Sequence, residues 1–495
     1  MADSSDRVTF PNRLFPSNQS KSQAVPIHPF SLPWIQVAPH APYFLTDQGE
    51  NWTPIGQNDA ITWPDLAGLF RRKDVNSVDQ YFSTLVSHGV TCLRLMLEYC
   101  HTENRYLERP AGVFQPNIIM LWDDVFALCA KHGLRILLTP YDTFWMRKRW
   151  AKHPYNRANG GFCQRPSQWL TCPATLSAIK ARLAFATRRW GSSGALFAWD
   201  LWNEIDPAHA GHDSQTLHAW VSEMSRYLRE LEMDIHGRAH LQTVSVYSPV
   251  LKKHPDLSEV IFRHPLLDFA SVHFYDASIR LPSNTVKPAL QTGVLTREAL
   301  RHIRDGRPFL DSEHGPDRSF RRKQGTLPAC FDDQYFRHMQ WAHLAAGGAG
   351  GGFRWPYRHP HVLTQGMRQA QKVLAAFIQD VDWQFFSRTN LDAQVKISPS
   401  FFKGFACGNE KQVILWFLQT KDLTAEGLLH PNLLPQKAKI RVSAMEAGLY
   451  SVVVWNTLTG ERHTLEPFSL LTSETLTIDI PAIAGDAAML ISKLQ

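Results

Sequence analysis

The stretch Ala195-Leu-Phe-Ala-Trp-Asp-Leu-Trp-Asn-Glu204 decides how this chain is read. Seven of its first eight residues are apolar, the pattern of a strand buried on both faces. Helix-period segments alternate with similar short apolar runs on either side of it. Upstream, the spacing predicts a helix over 77–88 before Thr91–Leu97, one over 117–131 stopped by Gly133 before Leu134–Thr139, and one over 174–190 before the quoted strand. Downstream, helices over 217–235, 257–262, 297–304 and 333–346 precede strands at 241–247, 269–275, 308–313 and 350–355. A last helix is predicted over 367–379, and Trp52–Ile55 leads into a first strand. Eight strands, seven of them preceded by a helix, imply a parallel sheet. In about 340 residues they fit a closed (β/α)8 TIM barrel over 41–380. An open doubly wound sheet is the alternative, but its Gly-x-Gly-x-x-Gly turn after strand one is absent.

After Asp380 the helical period disappears. Short strands near 394–398, 413–418, 438–442, 450–455 and 475–480 are separated by Gly, Asn and Pro, which reads as an all-β sandwich domain over 381–495. Residues 1–40 form a Ser/Pro-rich extension with no basic start before an apolar run, so no secretory signal is read and a cytoplasmic location is expected unless a leader was removed. The net charge of +7 is spread thinly, with short clusters such as Arg71-Arg72-Lys73, which argues against nucleic-acid binding. No apolar run is long enough to span a membrane. The seven cysteines are expected as reduced, buried thiols, with Cys163 and Cys172 open to pairing across a loop.

A barrel of this kind carries its chemistry at the C-terminal ends of its strands. Those ends hold Arg94; Asp142 and Trp145; Asn203 and Glu204; His273 and Tyr275; Glu313; and Trp355. Two carboxylates among an Arg, a Tyr, a His, an amide and aromatics suit cleavage of a glycosidic bond, where one acid protonates the leaving oxygen and one carboxylate attacks or assists at the anomeric carbon. Arg94 and Tyr275 are expected to keep Glu313 ionised, while burial and that charge keep Glu204 protonated. Trp355, after the glycines of 347–352, offers a flat face for a sugar ring.

The same residues resemble a known family. Phe197-Ala-Trp-Asp-Leu-Trp-Asn-Glu204, Glu313-His-Gly315, Leu93-Arg94-Leu95 and His273-Phe-Tyr275 look like the retaining β-glycoside hydrolases of clan A, especially glycoside hydrolase family 5, over about residues 43–380. The resemblance implies Glu204 as acid/base, Glu313 as nucleophile, Asn203 on the sugar 2-hydroxyl, Arg94 and Tyr275 holding the nucleophile, His273 orienting the acid/base and Trp355 flooring the subsite. It implies retention, with the carboxyl groups about 5–5.5 Å apart, and no metal or other cofactor. Cellulase-type members carry a His after strand three, whereas this chain has Thr139-Pro-Tyr-Asp-Thr-Phe-Trp145. That loop is more like the mannan-active branches and moves the expected substrate from β-glucan toward β-mannoside. The segments Asn156–Cys163 and Tyr357–His361 are candidates to wall off one end of the cleft.

Each residue also has a structural reading: Arg94 as an internal ion pair, His273 as a core histidine and Trp355 as barrel floor, while Trp145 and Asp142 are more weakly placed. Glu98 is read as a surface salt bridge. His359 and His361 do not make a metal site, since the His-x-His expected after strand one is replaced by Gly56-Gln-Asn-Asp59. Two other functions fit the same parts: a non-catalytic sugar-binding barrel, and a transglycosylase using the same carboxylate pair.

Overall fold

The parallel strands of residues 56–314 are buried on both faces because helices cover one face and the other faces the interior of the ring. The structure, a computed structural model, describes residues 32–39, 41–100, 106–206, 212–275, 284–315, 327–356, 362–430, 434–443, 445–471 and 475–494. Most of the expected N-terminal extension, the segment 357–361 and the histidines in it lie outside the described residues. The parallel strands are β1 (Gly56–Asn58), β2 (Cys92–Met96), β3 (Arg135–Thr139), β4 (Leu196–Asp200), β5 (in two pieces, Leu241–Thr243 and Ser245–Tyr247), β6 (Ala270–Phe274) and β7 (Phe309–His314). Each pairs with the next, and Arg354 bridges both Gln57 of β1 and His314 of β7, so the pairing returns to its start. The strand expected over 350–355 is reduced to that bridge. Gly350 and Gly352 have φ of +72° and +74°, which no extended strand accommodates.

The helices follow the predicted order: α1 (Val75–Ser87), α2 (Pro116–His132), α3 (Pro173–Trp190), α4 (Ser214–His236), α5 (Ser258–Phe262), α6 (Val286–His302), α7 (Ala329–Ala345) and α8 (Gln365–Gln379). Among the described residues no helix is long and apolar enough to cross a membrane. In β4, Leu196 and Trp199 pack toward the helices, while Phe197 fills the interior near the strand starts. A small antiparallel sheet (Ile35–Val37, Phe44–Thr46, Asn51–Trp52) plugs that end: the Phe44 ring stands edge-on to Phe197 at 5.1 Å and to Phe269 at 5.6 Å. One end of the ring is therefore apolar and closed. Polar side chains collect at the other, where the strands finish.

The C-terminal region is β-rich, with a seven-stranded and a three-stranded sheet, all antiparallel. Sequence reading missed β8 (Phe402–Gly408) and β10 (Asp486–Lys493), which flank β9 (Gln412–Gln419). In β9 the period of two alternates between two cores. Val413, Leu415 and Phe417 face the small sheet with Ile440 and Ile478, and Ile414, Trp416 and Leu418 face the helices with Trp341 and Phe377. Trp383, Trp416 and Trp455 are all buried in this second core, so none offers a face to sugar. Polar contacts add to the seam: Arg297 of α6 pairs with Asp392 at 2.8 Å, and Arg337 and His338 of α7 bond Asp486 at 3.1 and 3.2 Å.

Asp486 also accepts from Trp416 Nε1 at 3.0 Å and from the Thr457 hydroxyl at 2.5 Å. Burial opposes its ionisation, yet Arg337, His338 and Thr457 outweigh burial and hold the carboxyl below the usual range. Its stabilisation is therefore present above the ordinary Asp pKa and is lost as pH falls through the depressed value. Asp486→Ala leaves Arg337 buried without its partner and is expected to cost about 3–5 kcal/mol, read by urea unfolding at neutral pH. The cysteines seen as described side chains, including Cys163 and Cys172, are free thiols, and Cys163 Sγ lies 3.0 Å from the Thr175 hydroxyl.

Candidate active site

The polar end of the ring is organised around Arg94 on β2. Its side chain is fully buried, so each nitrogen needs a partner. Nη1 donates to Glu313 Oε2 at 2.9 Å and to Asn58 Oδ1 at 2.9 Å; Nη2 donates to Asp200 Oδ2 at 2.6 Å and to Asn203 Oδ1 at 2.5 Å. The Asn203 amide is thus fixed with its oxygen on Arg94, and its Nδ2 donates to Asp142 Oδ1 at 2.6 Å. Asp142 caps the short helix Thr143–Lys148, accepting from the amides of Phe144 and Trp145. Burial, relieved in part by Asn203, pushes its carboxyl up to about 8.

Glu313, on β7, receives the Tyr275 hydroxyl on Oε1 at 2.7 Å. His273 of β6 puts Nδ1 3.0 Å from Glu204 Oε1 and 3.7 Å from Glu313 Oε2. Its Nε2 lies 3.1 Å from the Ser312 hydroxyl, itself 2.6 Å from that of Ser271. Burial lowers the His273 pKa to about 4, against the pull of Glu313, so the ring is neutral at pH 7 and carries one N–H. The Ser312–Ser271 pair can turn to serve either tautomer. One side-chain atom from each of Glu204, His273 and Glu313 lies within 4.8 Å of the other two. Among the described residues only this trio has the donors and spacing to hold a cation, but the Arg94 guanidinium bonded to Glu313 opposes a second positive charge.

Two expectations about the carboxylates need correction. Glu204 does not stand at a strand tip: β4 ends at Asp200, and Glu204 follows in a turn with φ +53°. Its side chain is 26% exposed against 9% for Glu313, so Glu313 is the more buried acid. Burial, with the neighbouring Glu204 adding to it, outweighs the downward pull of His273, Arg94 and Tyr275 and leaves the Glu313 carboxyl above the usual range. Glu98 is also corrected. It is buried and bonded to Arg182 at 3.0 Å and His153 at 3.1 Å, because the turn Leu97–Cys100 carries it inward against α3.

Arg94, Asp142, Asn203, Glu204, His273, Tyr275 and Glu313 thus form one bonded set. The aromatic residues flank it. The Trp355 amide bonds the carbonyl of His314, next to Glu313, and its half-buried indole meets the edge of Trp63 at 5.0 Å and 82°. Trp145 is buried, with the Arg149 guanidinium 5.3 Å over its ring. The Asn156–Cys163 loop is closed on itself by a bridge between its end residues. Sequence reading missed Asn58, Asp200, Ser245 and Tyr247. Asp200 had a signal, as the single charge in an otherwise apolar run. Tyr247, half-buried at the end of β5 with its ring 5.6 Å from that of Tyr275, had the signal of its strand-end position.

No family model matches the chain. It is 25% identical over 204 residues to an Aspergillus flavus protein named "Probable mannan endo-1,4-beta-mannosidase F", covering 39% of this chain and 41% of that one. It is 25% identical over 337 residues to mannan endo-1,4-beta-mannosidase 2 of Oryza sativa, covering 59% of this chain and 69% of that one. The chain thus spans about two fifths of the length of the Aspergillus relative it matches. Among solved structures, a glycoside hydrolase of family 5 from Bacteroides vulgatus superposes with a TM-score of 0.60 at 10% identity, over 94% of this chain and 95% of that one. A family 5 mannosidase from Rhizomucor miehei gives 0.53 at 12% identity, over 70% and 98%. In fold the chain resembles glycoside hydrolases of family 5, and its sequence relatives are named mannan endo-1,4-beta-mannosidases.

Proposed function

We propose that the chain is a retaining β-glycoside hydrolase, with β-mannosides preferred over β-glucosides, built as a (β/α)8 barrel over 41–380 braced by a C-terminal β-sandwich over 381–495. The observation that carries this reading is the Glu204–His273–Glu313 triangle at the end of the strands, within 4.8 Å, with Arg94 and Tyr275 bonded to Glu313. One oxygen of Glu204 lies within 4.8 Å of one of Glu313, which is compatible with a retaining pair, whose carboxyl groups stand about 5–5.5 Å apart. An inverting pair stands about 6.5–9.5 Å apart to leave room for a water.

In this reading Glu313 attacks the anomeric carbon while Glu204 protonates the departing oxygen. Glu204 then takes a proton from water, which displaces Glu313 from the glycosyl ester. The hydroxyl of Tyr275 and Nη1 of Arg94 hold the two Glu313 oxygens in position, and neutral His273 orients Glu204 without adding charge. One Asn203 amide hydrogen points to Asp142, which leaves the other for a sugar hydroxyl. Trp355, steadied by Trp63, supplies the flat wall. The mannoside preference draws on the names of the Aspergillus and Oryza relatives.

An aryl β-mannoside, β-glucoside, β-galactoside and β-xyloside panel tests the reading. Turnover is expected, fastest on the mannoside; sugar binding with no turnover on any member would sink it. The pH dependence has a definite sign. Glu313 must be ionised to attack and its pKa is raised, chiefly by burial, so kcat/KM is expected to rise with pH through a midpoint above the ordinary carboxylate range.

A further inference from the structure

Two buried residues with no part in the steps above join the two carboxylates from below. Asp200, at the end of β4, is fully buried, and its Oδ2 accepts from Arg94 Nη2 at 2.6 Å, from the Ser245 hydroxyl at 2.9 Å and from Thr139 at 3.4 Å. The Ser245 oxygen in turn accepts from the Glu204 amide at 3.2 Å and from Arg94 Nη2 at 3.4 Å. A hydroxyl has one proton and two lone pairs, so Ser245 is fully committed to this arrangement. We propose that Asp200 and Ser245 are a positioning pair that holds both carboxylates at once, Glu313 through Arg94 and Glu204 through its backbone amide. The inference rests on the glycosidase reading above.

Each arm answers a physical need. Glu204 has φ +53°, a conformation that is costly for a residue with a side chain and persists only where neighbours hold it. Ser245 grips its amide, and the Thr143 hydroxyl grips its carbonyl at 2.7 Å. Arg94 is buried between two carboxylates. When Glu313 becomes an ester, one of these charges disappears, and Asp200 keeps the guanidinium from being left unpaired. Before that step, Asp200 divides the pull of Arg94, so that Glu313 stays a stronger base than an undivided guanidinium would leave it. The groups facing Glu313 are Arg94 from β2, Glu204 after β4, and His273 and Tyr275 on or just after β6, with Asn58 of β1 neutral.

The variants Asp200→Asn and Ser245→Ala test the pair, with thermal unfolding as the control for folding. In Asp200→Asn, Arg94 acts on Glu313 alone, so the acid limb of kcat/KM is expected to move down by about one pH unit, with kcat falling at least about 10-fold and KM changing little. In Ser245→Ala the acid limb is expected to stay put, while turnover falls more on substrates whose leaving group needs a proton than on a dinitrophenyl glycoside. The Glu313 carboxyl is also titrated by infrared difference spectroscopy against Glu313→Gln, which reads the same shift without substrate. An inactive wild type would overturn the glycosidase reading, and the infrared titration would then decide this inference alone. A folded Asp200→Asn whose infrared titration and acid limb match wild type would overturn the pair, as would a Ser245→Ala that slows all substrates equally.

Discussion

Glu313→Ala is expected to lower kcat/KM on an aryl β-mannoside by on the order of 10⁵-fold or more, about 7 kcal/mol at 1.36 kcal/mol per decade. Glycosidic bonds break very slowly unaided, so the protein must supply most of the rate, and the covalent route depends on this carboxylate. Alanine leaves Arg94 paired with Asp200 and Asn203 but aimed at an empty space, and takes the acceptor from the Tyr275 hydroxyl. Glu204 cannot take over, because in this reading it is the group that meets the departing oxygen. The lost volume predicts a rescue. Formate or azide at high concentration is expected to restore part of the rate on a dinitrophenyl glycoside by occupying the vacated site. A Glu313→Ala protein that keeps more than about a hundredth of wild-type activity without added anion contradicts the role.

Glu204→Ala is expected to separate two substrates. On a mannoside with a poor leaving group the first step should slow by about 10²–10⁴-fold, the usual contribution of a positioned general acid. On a dinitrophenyl glycoside, whose leaving group needs no proton, that step should slow by less than about 10-fold. Glycosyl ester should then accumulate, because the same residue activates the water of the second step. Pre-steady-state release of dinitrophenol reads both effects. The structure makes this a clean substitution: Glu204 is the more exposed of the pair and its backbone is held by Ser245 and Thr143, neither of which touches the lost carboxyl. If Glu204→Ala and Glu313→Ala were equally inactive on the dinitrophenyl substrate, the assignment of roles would be wrong.

The rhythm of the ring was legible because its strands after the first are short, mostly apolar and preceded by a helix. The reading weakened where tertiary contacts override local pattern. Helix α6 begins at Val286, eleven residues before its predicted start, since Pro288 and Gly293 look like breakers. In the fold Gly293 sits under the Phe405 ring, where a Cβ would come within 2.2 Å of it, so the glycine serves the seam with the C-terminal sheets. Strand β10 was missed because it is buried on both faces and shows no alternation between apolar and polar. At the site, several residues at or just past strand ends were found, since the ends are where such folds carry chemistry, but Asn58, Asp200 and Tyr247, also at strand ends, were missed. Asn58, Asp200 and Ser245 act through Arg94 or the backbone, which spacing along the chain does not reveal. The balance of burial against pairing at Glu313 is likewise a property of the assembled mouth.

The most direct measurement of the central claim is the anomer first formed from a β-mannoside, followed by proton NMR before mutarotation. Two carboxylates with one oxygen of each within 4.8 Å, and Glu313 held by Arg94 and Tyr275 for direct attack, predict β-mannose as the initial product, the α-anomer growing in only by mutarotation. Initial release of the α-anomer would mean that water attacks the sugar in a single step, and would contradict Glu313 as the nucleophile.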